Sequence, residues 1–422
     1  MSKEALNPLQ GMKDIAAPAI TQWQSMETSA RSILHAYGYN EVRTPILERS
    51  GLFIHSVGDT TDIVQKEMYR FEDRGGRDIC LRPEGTASIM RYAASIGQEA
   101  QDGRYYYLGP MFRCERPQAG RYRQFHQLGT EALGEPNPVA DAENIALQVH
   151  VLKEWGVSDC TVHVNTRGAR DDHAAVNRGL REALAPLSGE LCEDCRRRMD
   201  TNVMRVLDCK NPQCHAVVEQ LPSIRSFMSE SSNRYFDEVT RYLTLLDIAV
   251  VQDDRLVRGF DYYQHTVWEI KHAALGAQDA IAGGGRYTFA MGKKPIEGVG
   301  FAFGIERVIM VLEKLGIAGT TTSSQDVWIV TQHDDAFDEN LVLTETLRMR
   351  GLSCGMDLGN RSLKAQMRAA NRAGVDWVVV RGQQEMEAGT FQLKHMETGE
   401  QEEVGMPELL ARLIRPFSVE SI

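Results

Sequence analysis

From Ala17 to about Tyr37 apolar residues recur at helical spacing, and the pattern then changes to that of a strand in "YNEVRTPILE". Pro45 interrupts that strand, which suits a sheet edge or an interface better than a sheet centre. "MYRFEDRGGRDICLRP" predicts a hairpin closed at Gly75 and Gly76. Pro83 and Gly85 break it, and Thr86 stands where a cap would begin the helix "ASIMRYAAS". Strands follow in "RYYYLGPMFRCE" and "QFHQLGTEAL", then a helix over about 140–154 and the strand "CTVHVN". Near Arg167 the chain turns helical, polar and cysteine-bearing, and stays so to about Leu246. Strand patterns return in "RGFDYYQHTVWEI", "AIAGGGRYTF" and "GVGFAFG", the last running into the helix "IERVIMVLEKL". After the polar stretch "AGTTTSSQ" strands and helices alternate to the end.

These changes divide the chain. Residues 1–166 and 247–318 are expected to form one domain of strands and helices, interrupted by a helical insertion at 167–246. A linker at 319–325 leads to an α/β domain at 326–422. The length, 422 residues, allows each part its own core. Nothing approaches the apolar run of a membrane-spanning helix, and "MSKEALNPLQGMKD" lacks the apolar core of a signal peptide. The expected compartment is the cytoplasm. A net charge of −11 argues against non-specific nucleic-acid binding while leaving room for a local basic site.

Such a site is visible in "FRCERPQAGRYRQFHQLGTEALG", where Arg113, Arg116, Arg121 and Arg123 fall within eleven positions. Alternation puts Arg113 and Glu115 on one face of the first strand, and Phe125, Gln127, Gly129 and Glu131 on one face of the second. An arginine fork suits phosphate oxygens, and Gly129 leaves room beside a carboxylate, so this face has the makings of a site for a nucleotide and a small polar ligand. A solvated charged hairpin is the plainer alternative. In "LRPEGTAS", Glu84 and Thr86 have the chemistry to hold an ammonium group or to cap the helix. "RGFDYY" sets Arg258, Asp261, Tyr262 and Tyr263 together, and strict alternation would send Arg258 and Tyr263 to opposite faces unless the segment bulges, at Gly259 for example. "AGGGRY", with Tyr287, and "EGVGFAFGIERV", with Arg307 in a first helical turn, offer an anion site without being a P-loop.

In order and spacing these stretches resemble class II aminoacyl-tRNA synthetases: "TPILE", "FRCE" with "RYRQFHQ", and "GVGFAFGIERV" are similar to the three class-wide motifs. "RGFDYY" and "GGGRY" resemble the two signatures of the histidyl-tRNA synthetases, and "RSLKAQMRAANRAG" resembles part of their anticodon-binding domain. Phe260 stands where leucine is usual and Thr288 where aspartate is expected. The resemblance implies an α+β catalytic domain, an antiparallel sheet flanked by helices, and a histidine–tRNA ligase reaction with L-histidine, ATP and tRNA(His), magnesium on the outer phosphates, and a homodimer. It implies that Arg113 and Arg258 act at the α-phosphate as catalytic residues, with Glu115 and Phe125 on the adenine and Arg307 on the far phosphate. Glu84, Thr86, Arg113, Gln127, Glu131, Arg258, Tyr262, Tyr263 and Tyr287 would hold histidine. Arg116, Gln118 and Arg121 would meet the tRNA acceptor end. A non-catalytic relative that regulates ATP phosphoribosyltransferase is the alternative. Retention of the last domain and of Arg113, Glu131, Arg258 and Arg307 weighs against it.

Two features stand apart. Cys192, Cys195, Cys209 and Cys214 have nearly zinc-ribbon spacing, with His215 adjacent, and predict either a structural zinc site or four reduced thiols. Arg361, Lys364, Arg368 and Arg372 recur at helical spacing on a helix expected from Asn360, a stripe suited to a phosphate backbone or simply to solvent.

Overall fold

The computed structural model describes residues 6–58, 61–100, 102–134, 136–260, 262–291, 295–317, 325–332, 336–359 and 361–413. Asp261, Asn360 and nearly all of the expected linker lie outside them. The chain divides into two compact units, Met1–Asp14 with Met26–Ala318 and Ile15–Ser25 with Gly319–Ile422.

In the first unit the strands run β1 (Asn40–Glu41), β2 (Leu47–Arg49), β3 (Arg70–Glu72), β4 (Asp78–Leu81), β5 (Arg104–Phe112) and β6 (Gln124–Leu133). They continue with β7 (Thr161–Thr166), β8 (Val250–Gln252), β9 (Tyr263–Lys271), β10 (Ala280–Phe289) and β11 (Ile296–Gly304). Eight of them form one sheet in the order β1-β5-β6-β11-β10-β9-β7-β8. Its centre is antiparallel, and β1 and β8 add in parallel at the two edges.

The segment "YNEVRTPILE", expected as one strand, divides at Pro45: β1 joins the large sheet, while β2 joins a small one ordered β2-β4-β3. The cause lies elsewhere in the chain. Arg82 is buried and donates to Thr44 O and Oγ1 at 2.9 Å and to Pro110 O at 3.0 Å, pinning the crossing between the sheets. Proline has no N–H to continue a ladder there. The predicted hairpin forms as β3 and β4, with Asp73 accepting the N–H groups of Gly75 and Arg77 at 2.8 and 3.0 Å. The small sheet turns Leu47 and Phe71 outward, 48% and 46% exposed, on the same face as their cross-strand partners Leu81 and Ile79.

Helix Pro138–Glu154 backs the large sheet through buried polar contacts. Asp141 accepts from Arg286 at 2.7 Å, Thr266 at 2.6 Å and Tyr235 at 3.0 Å, and Gln148 accepts from Trp268 at 2.6 Å. Asp141 and Arg286 are both almost fully buried, so removing one partner would strand the other at a cost of about 3–5 kcal/mol. The insertion is helical, as expected, in His173–Leu184, Glu193–Thr201, Pro212–Val218 and Glu230–Leu245. Its own core comprises Val176, Leu180, Val206, Cys195, Cys214 and their neighbours, joined by Val257. Helix Glu230–Leu245 contributes nothing to that core and instead sends Tyr235 to Asp141.

The second unit holds β12 (Val327–Thr331), β13 (Cys354–Met356), β14 (Trp377–Arg381), β15 (Thr390–His395) and β16 (Gln401–Gly405), ordered β13-β12-β14-β15-β16. The first three are parallel and the last two antiparallel. The helix expected from residue 360 starts at Leu363, because the Arg361 N–H and guanidinium are both held by Asp357. Lys364, Arg368 and Arg372 are exposed along it. Among the described residues no helix is long and apolar enough to cross a membrane.

Candidate active site

A cavity of about 490 Å³ opens over the centre of the large sheet. Glu84, Thr86, Arg113, Glu115, Arg121, Phe125, Gln127, Glu131, Arg258, Tyr262, Tyr263, Tyr287 and Arg307 all line it. They come from residues more than two hundred positions apart, brought together by the pairing of β5, β6, β11, β10 and β9. Arg116 and Gln118 are exposed and do not line it; Gln118 sits at the tip of the arginine loop, exchanging backbone hydrogen bonds with Arg121 at 3.2 and 2.9 Å.

At one end lies Glu131, 1% exposed. Tyr287 donates to its Oε2 at 2.6 Å, while Oε1 is buried and has no hydrogen bond. Burial pushes this carboxyl up to about 8, outweighing the opposing pull of the Thr86 and Tyr287 hydroxyls. Gln127 Oε1 is likewise buried and unpaired. Buried polar atoms are normally satisfied, so two unpaired oxygens in one cavity mark where a polar ligand would bind.

Four glycines make this end possible. A Cβ on Gly283 would stand 2.7 Å from the Arg258 guanidinium, on Gly285 2.6 Å from the Tyr263 ring, and on Gly298 2.8 Å from the Tyr287 hydroxyl. On Gly300 it would meet the Glu131 carboxylate itself. Each of these four glycines therefore makes room for one polar side chain of the cavity.

At the other end are the arginines. The first strand stops at Phe112, so Arg113 and Glu115 belong to the loop and not, as alternation predicts, to a strand face. They still face the cavity, because Arg113 Nε is tied to Pro83 O at 3.0 Å and its guanidinium lies over the Phe125 ring, 5.2 Å from the centroid. Glu115 pairs with Arg121 at 3.1 Å. Arg307 leaves the first turn of helix Ile305–Lys314 and donates to Ala280 O at 2.7 Å.

Some expectations are corrected. Glu84, and not Thr86, caps helix Thr86–Ile96, its two oxygens accepting the N–H groups of Thr86 and Ala87 at 2.7 and 2.8 Å. The room left by Gly129 is filled by the ring of Tyr107 from β5, which also fills the place of a side chain at Gly85. Arg258 and Tyr263 reach the same cavity because residues 258–260 precede β9, which begins at Tyr263, and alternation does not govern them. The irregularity falls at His265, with φ of 48°, and not at Gly259. Thr288 is outside the cavity and bonds Gln264 and Glu297. Sequence reasoning missed Tyr107, Glu67 and Glu269, the partner of Arg258 at 2.5 Å. Nothing local marks Tyr107 or Glu269; both are set by strand pairing.

The four insertion cysteines converge, their Sγ atoms all within 4.8 Å of one another and Cys192 Sγ 3.8 Å from Cys209 Sγ. Tetrahedral Zn–S bonds of about 2.3 Å require S···S separations of about 3.8 Å. The Cys192 thiol is lowered to about 7, first by the Cys195 N–H and then, against burial, by the neighbouring thiols. His215 is not one of the group.

Comparison with known proteins gives two family matches: residues 11–308 to histidyl-tRNA synthetase and residues 326–415 to an anticodon binding domain. The chain is 45% identical over 408 residues to histidine–tRNA ligase of Halothermothrix orenii, covering 96% of this chain and 97% of that one. It is 43% identical to that of Geobacillus thermodenitrificans, covering 96% and 97%. The crystal structure of apo S. aureus histidyl-tRNA synthetase superposes with a TM-score of 0.81 at 33% identity, covering 97% of this chain and 99% of that one.

Proposed function

This chain belongs to the histidyl-tRNA synthetase family, and from that premise we propose how its cavity carries out the family's reaction. The reaction is ligation of histidine to tRNA: the histidine carboxylate attacks the α-phosphorus of ATP, releasing pyrophosphate, and the tRNA 3′-terminal hydroxyl then attacks the acyl carbon of histidyl-adenylate. No covalent bond to the protein is needed, so orientation and charge stabilisation supply the rate.

The observation that carries the assignment of residues is the buried, unpaired Glu131 oxygen in a cavity that arginines also line. In our reading Glu131 and a tyrosine, Tyr263, receive the imidazole of histidine, while Glu84, Thr86 and Gln127 hold its ammonium group. Tyr262 and Tyr287 wall the pocket. Arg113 and Arg258 then flank the α-phosphate, the latter kept in place by Glu269. Phe125 and Glu115 take the adenine, and Arg307 the far phosphate. A site built around hydrogen bonds to a polar side chain rejects analogues lacking it by roughly 10⁴–10⁵. Arg116, Gln118 and Arg121 remain for the acceptor end of tRNA.

Magnesium fits the same cavity on the acidic side of its rim. Glu67 lines it, and its carboxyl is raised by burial and by the Glu115 charge, a setting a divalent cation would relieve. When bound, magnesium would neutralise charge on the outer phosphates. The cysteine tetrad fits zinc in a structural role, tying together residues 192–214 within the insertion, since no ligand position is left open for chemistry. We divide the chain as its sequence suggests, a catalytic domain at 1–166 and 247–318, the insertion at 167–246, and an anticodon-binding domain at 326–422 after the linker. The apolar face of the small sheet, with Leu47 and Phe71 exposed beside the "TPILE" segment, supports a homodimer. None of the eight cysteines is joined in a disulfide, which supports the cytoplasm as the compartment.

Histidine-dependent ATP–pyrophosphate exchange without tRNA tests the reading. Exchange with histidine alone among the amino acids is expected. Histidine binding with no exchange would move the chain to a non-catalytic, histidine-sensing role.

A further inference from the structure

The cavity contains one cation that none of the resembling motifs supplies. Arg205 belongs to the insertion, on the short turn Val203–Val206, yet it lines the cavity beside Arg258 and Gly259. Its position is built. Val203, Met204 and Val206 are buried in the insertion core, which leaves Arg205 as the member of the turn that faces outward. The turn is tied by the Arg205 N–H to Asn202 O at 3.1 Å and by Arg198 Nη1 to Arg205 O at 3.3 Å. The Arg205 guanidinium lies against the loop that carries Arg258: a Cβ on Gly259 would stand in van der Waals contact with Arg205 Nη1, at 3.7 Å. The salt-bridge partner of Arg205 is Asp208 at 3.8 Å, beyond hydrogen-bond range, whereas Arg258 is closely paired with Glu269 at 2.5 Å. The less neutralised of the two guanidiniums is therefore the one from the insertion.

We propose that Arg205 is a further catalytic residue, binding a phosphoryl oxygen of the reacting ATP next to Arg258, and that the cysteine tetrad delivers it there. The second half follows from order in the chain. Cys192 and Cys195 precede the turn and Cys209 and Cys214 follow it, so drawing the four sulfurs together fixes both ends of the segment that carries Arg205. Val257, next to Arg258, packs in the same core, so the insertion and the neighbouring catalytic loop share a support. The inference rests on reading the cavity as the adenylation site, and exchange by the unaltered protein checks that reading separately.

The test is ATP–pyrophosphate exchange without tRNA for Arg205→Ala and Arg205→Lys, with thermal unfolding of each. Arg205→Ala should lower kcat about 10²-fold, as loss of a donor to a developing anion does, with KM for histidine within about twofold and the unfolding midpoint unchanged. Arg205→Lys, which keeps the charge and loses the fork, should recover part of the rate and carries the test if the alanine variant does not fold. Unaltered exchange in both variants would overturn the proposal. So would a loss confined to tRNA charging, which would assign Arg205 to a phosphodiester of the tRNA end. For delivery, Cys209→Ser should lose bound zinc by metal analysis and lower exchange by the same factor. Adding Arg205→Ala to it should then lower the rate no further, whereas additive losses would sever the tetrad from Arg205.

Discussion

Glu131 keeps its proton near neutrality because burial costs its charged form more than two hydroxyls can return, and its carboxyl sits at about 8. An imidazole titrates near about 6.5. Between those two values the empty carboxyl and the free imidazole hold one proton between them, which a carboxylate–imidazolium pair needs without exchange with solvent. Below the window a proton must leave on binding, and above it one must be gained. Histidine affinity, measured calorimetrically from pH 5.5 to 9, should therefore be flat between about 6.5 and 8 and fall on both sides, toward tenfold per pH unit. Glu131→Gln should weaken histidine by roughly 10–100-fold, the worth of a charge-assisted hydrogen bond, and remove the alkaline limb. Stability carries the same sign. The folded carboxyl holds its proton up to about 8 while the unfolded one loses it near its ordinary value, so stability should fall as pH rises between them and level off above. The contribution of Glu131 to the slope approaches about 1.4 kcal/mol per pH unit, and Glu131→Gln should remove that contribution.

At the scale of strands, β10 and β11 serve as a floor in which Gly283, Gly285, Gly298 and Gly300 each accommodate one side chain of the cavity. Gly300→Ala would press a methyl group against both the Glu131 carboxylate and the Thr130 carbonyl, and the carbonyl belongs to the ladder and cannot move aside. Overpacking of this kind costs about 1–3 kcal/mol. KM for histidine in the exchange reaction should rise by roughly 10–100-fold, with KM for ATP little changed, since the arginine end is untouched. The glycines themselves were legible in "GGGRY" and "GVGFAFG"; their tenants were not, because which side chain lies over which glycine depends on pairing between strands distant in sequence. The same limit explains Tyr107, which fills the space that Gly129 vacates. It also explains the division of "YNEVRTPILE" by Arg82, a residue thirty-eight positions from Thr44. Local chemistry was read well where it is local: the β3–β4 turn, the helical insertion, Arg307 in the first turn of its helix, and cysteines close in sequence that proved close in space.

Across the whole molecule, net charge and local charge are separate quantities. A chain of net charge −11 repels polyanions at long range, so the ionic attraction that holds RNA has to come from clustered cations acting within about a Debye length. The second unit offers such a cluster on helix Leu363–Ala373, where Lys364, Arg368 and Arg372 are exposed. Arg361 does not join them as a free cation, because Asp357 already holds its guanidinium. If this face meets the phosphate backbone of tRNA, each contact releases about one counterion and steepens the salt dependence of binding. Reversing Lys364, Arg368 and Arg372 to glutamate should then raise KM for tRNA at least tenfold and make it less sensitive to salt. Histidine-dependent exchange should remain as it was, because no residue of this helix lines the reaction cavity. A solvated face predicts neither change, and aminoacylation measured at two ionic strengths separates the cases. Charge reversal that damaged exchange as well would mean that the second unit takes part in activating histidine, a coupling that the cavity, built wholly from residues of the first unit, gives no reason to expect.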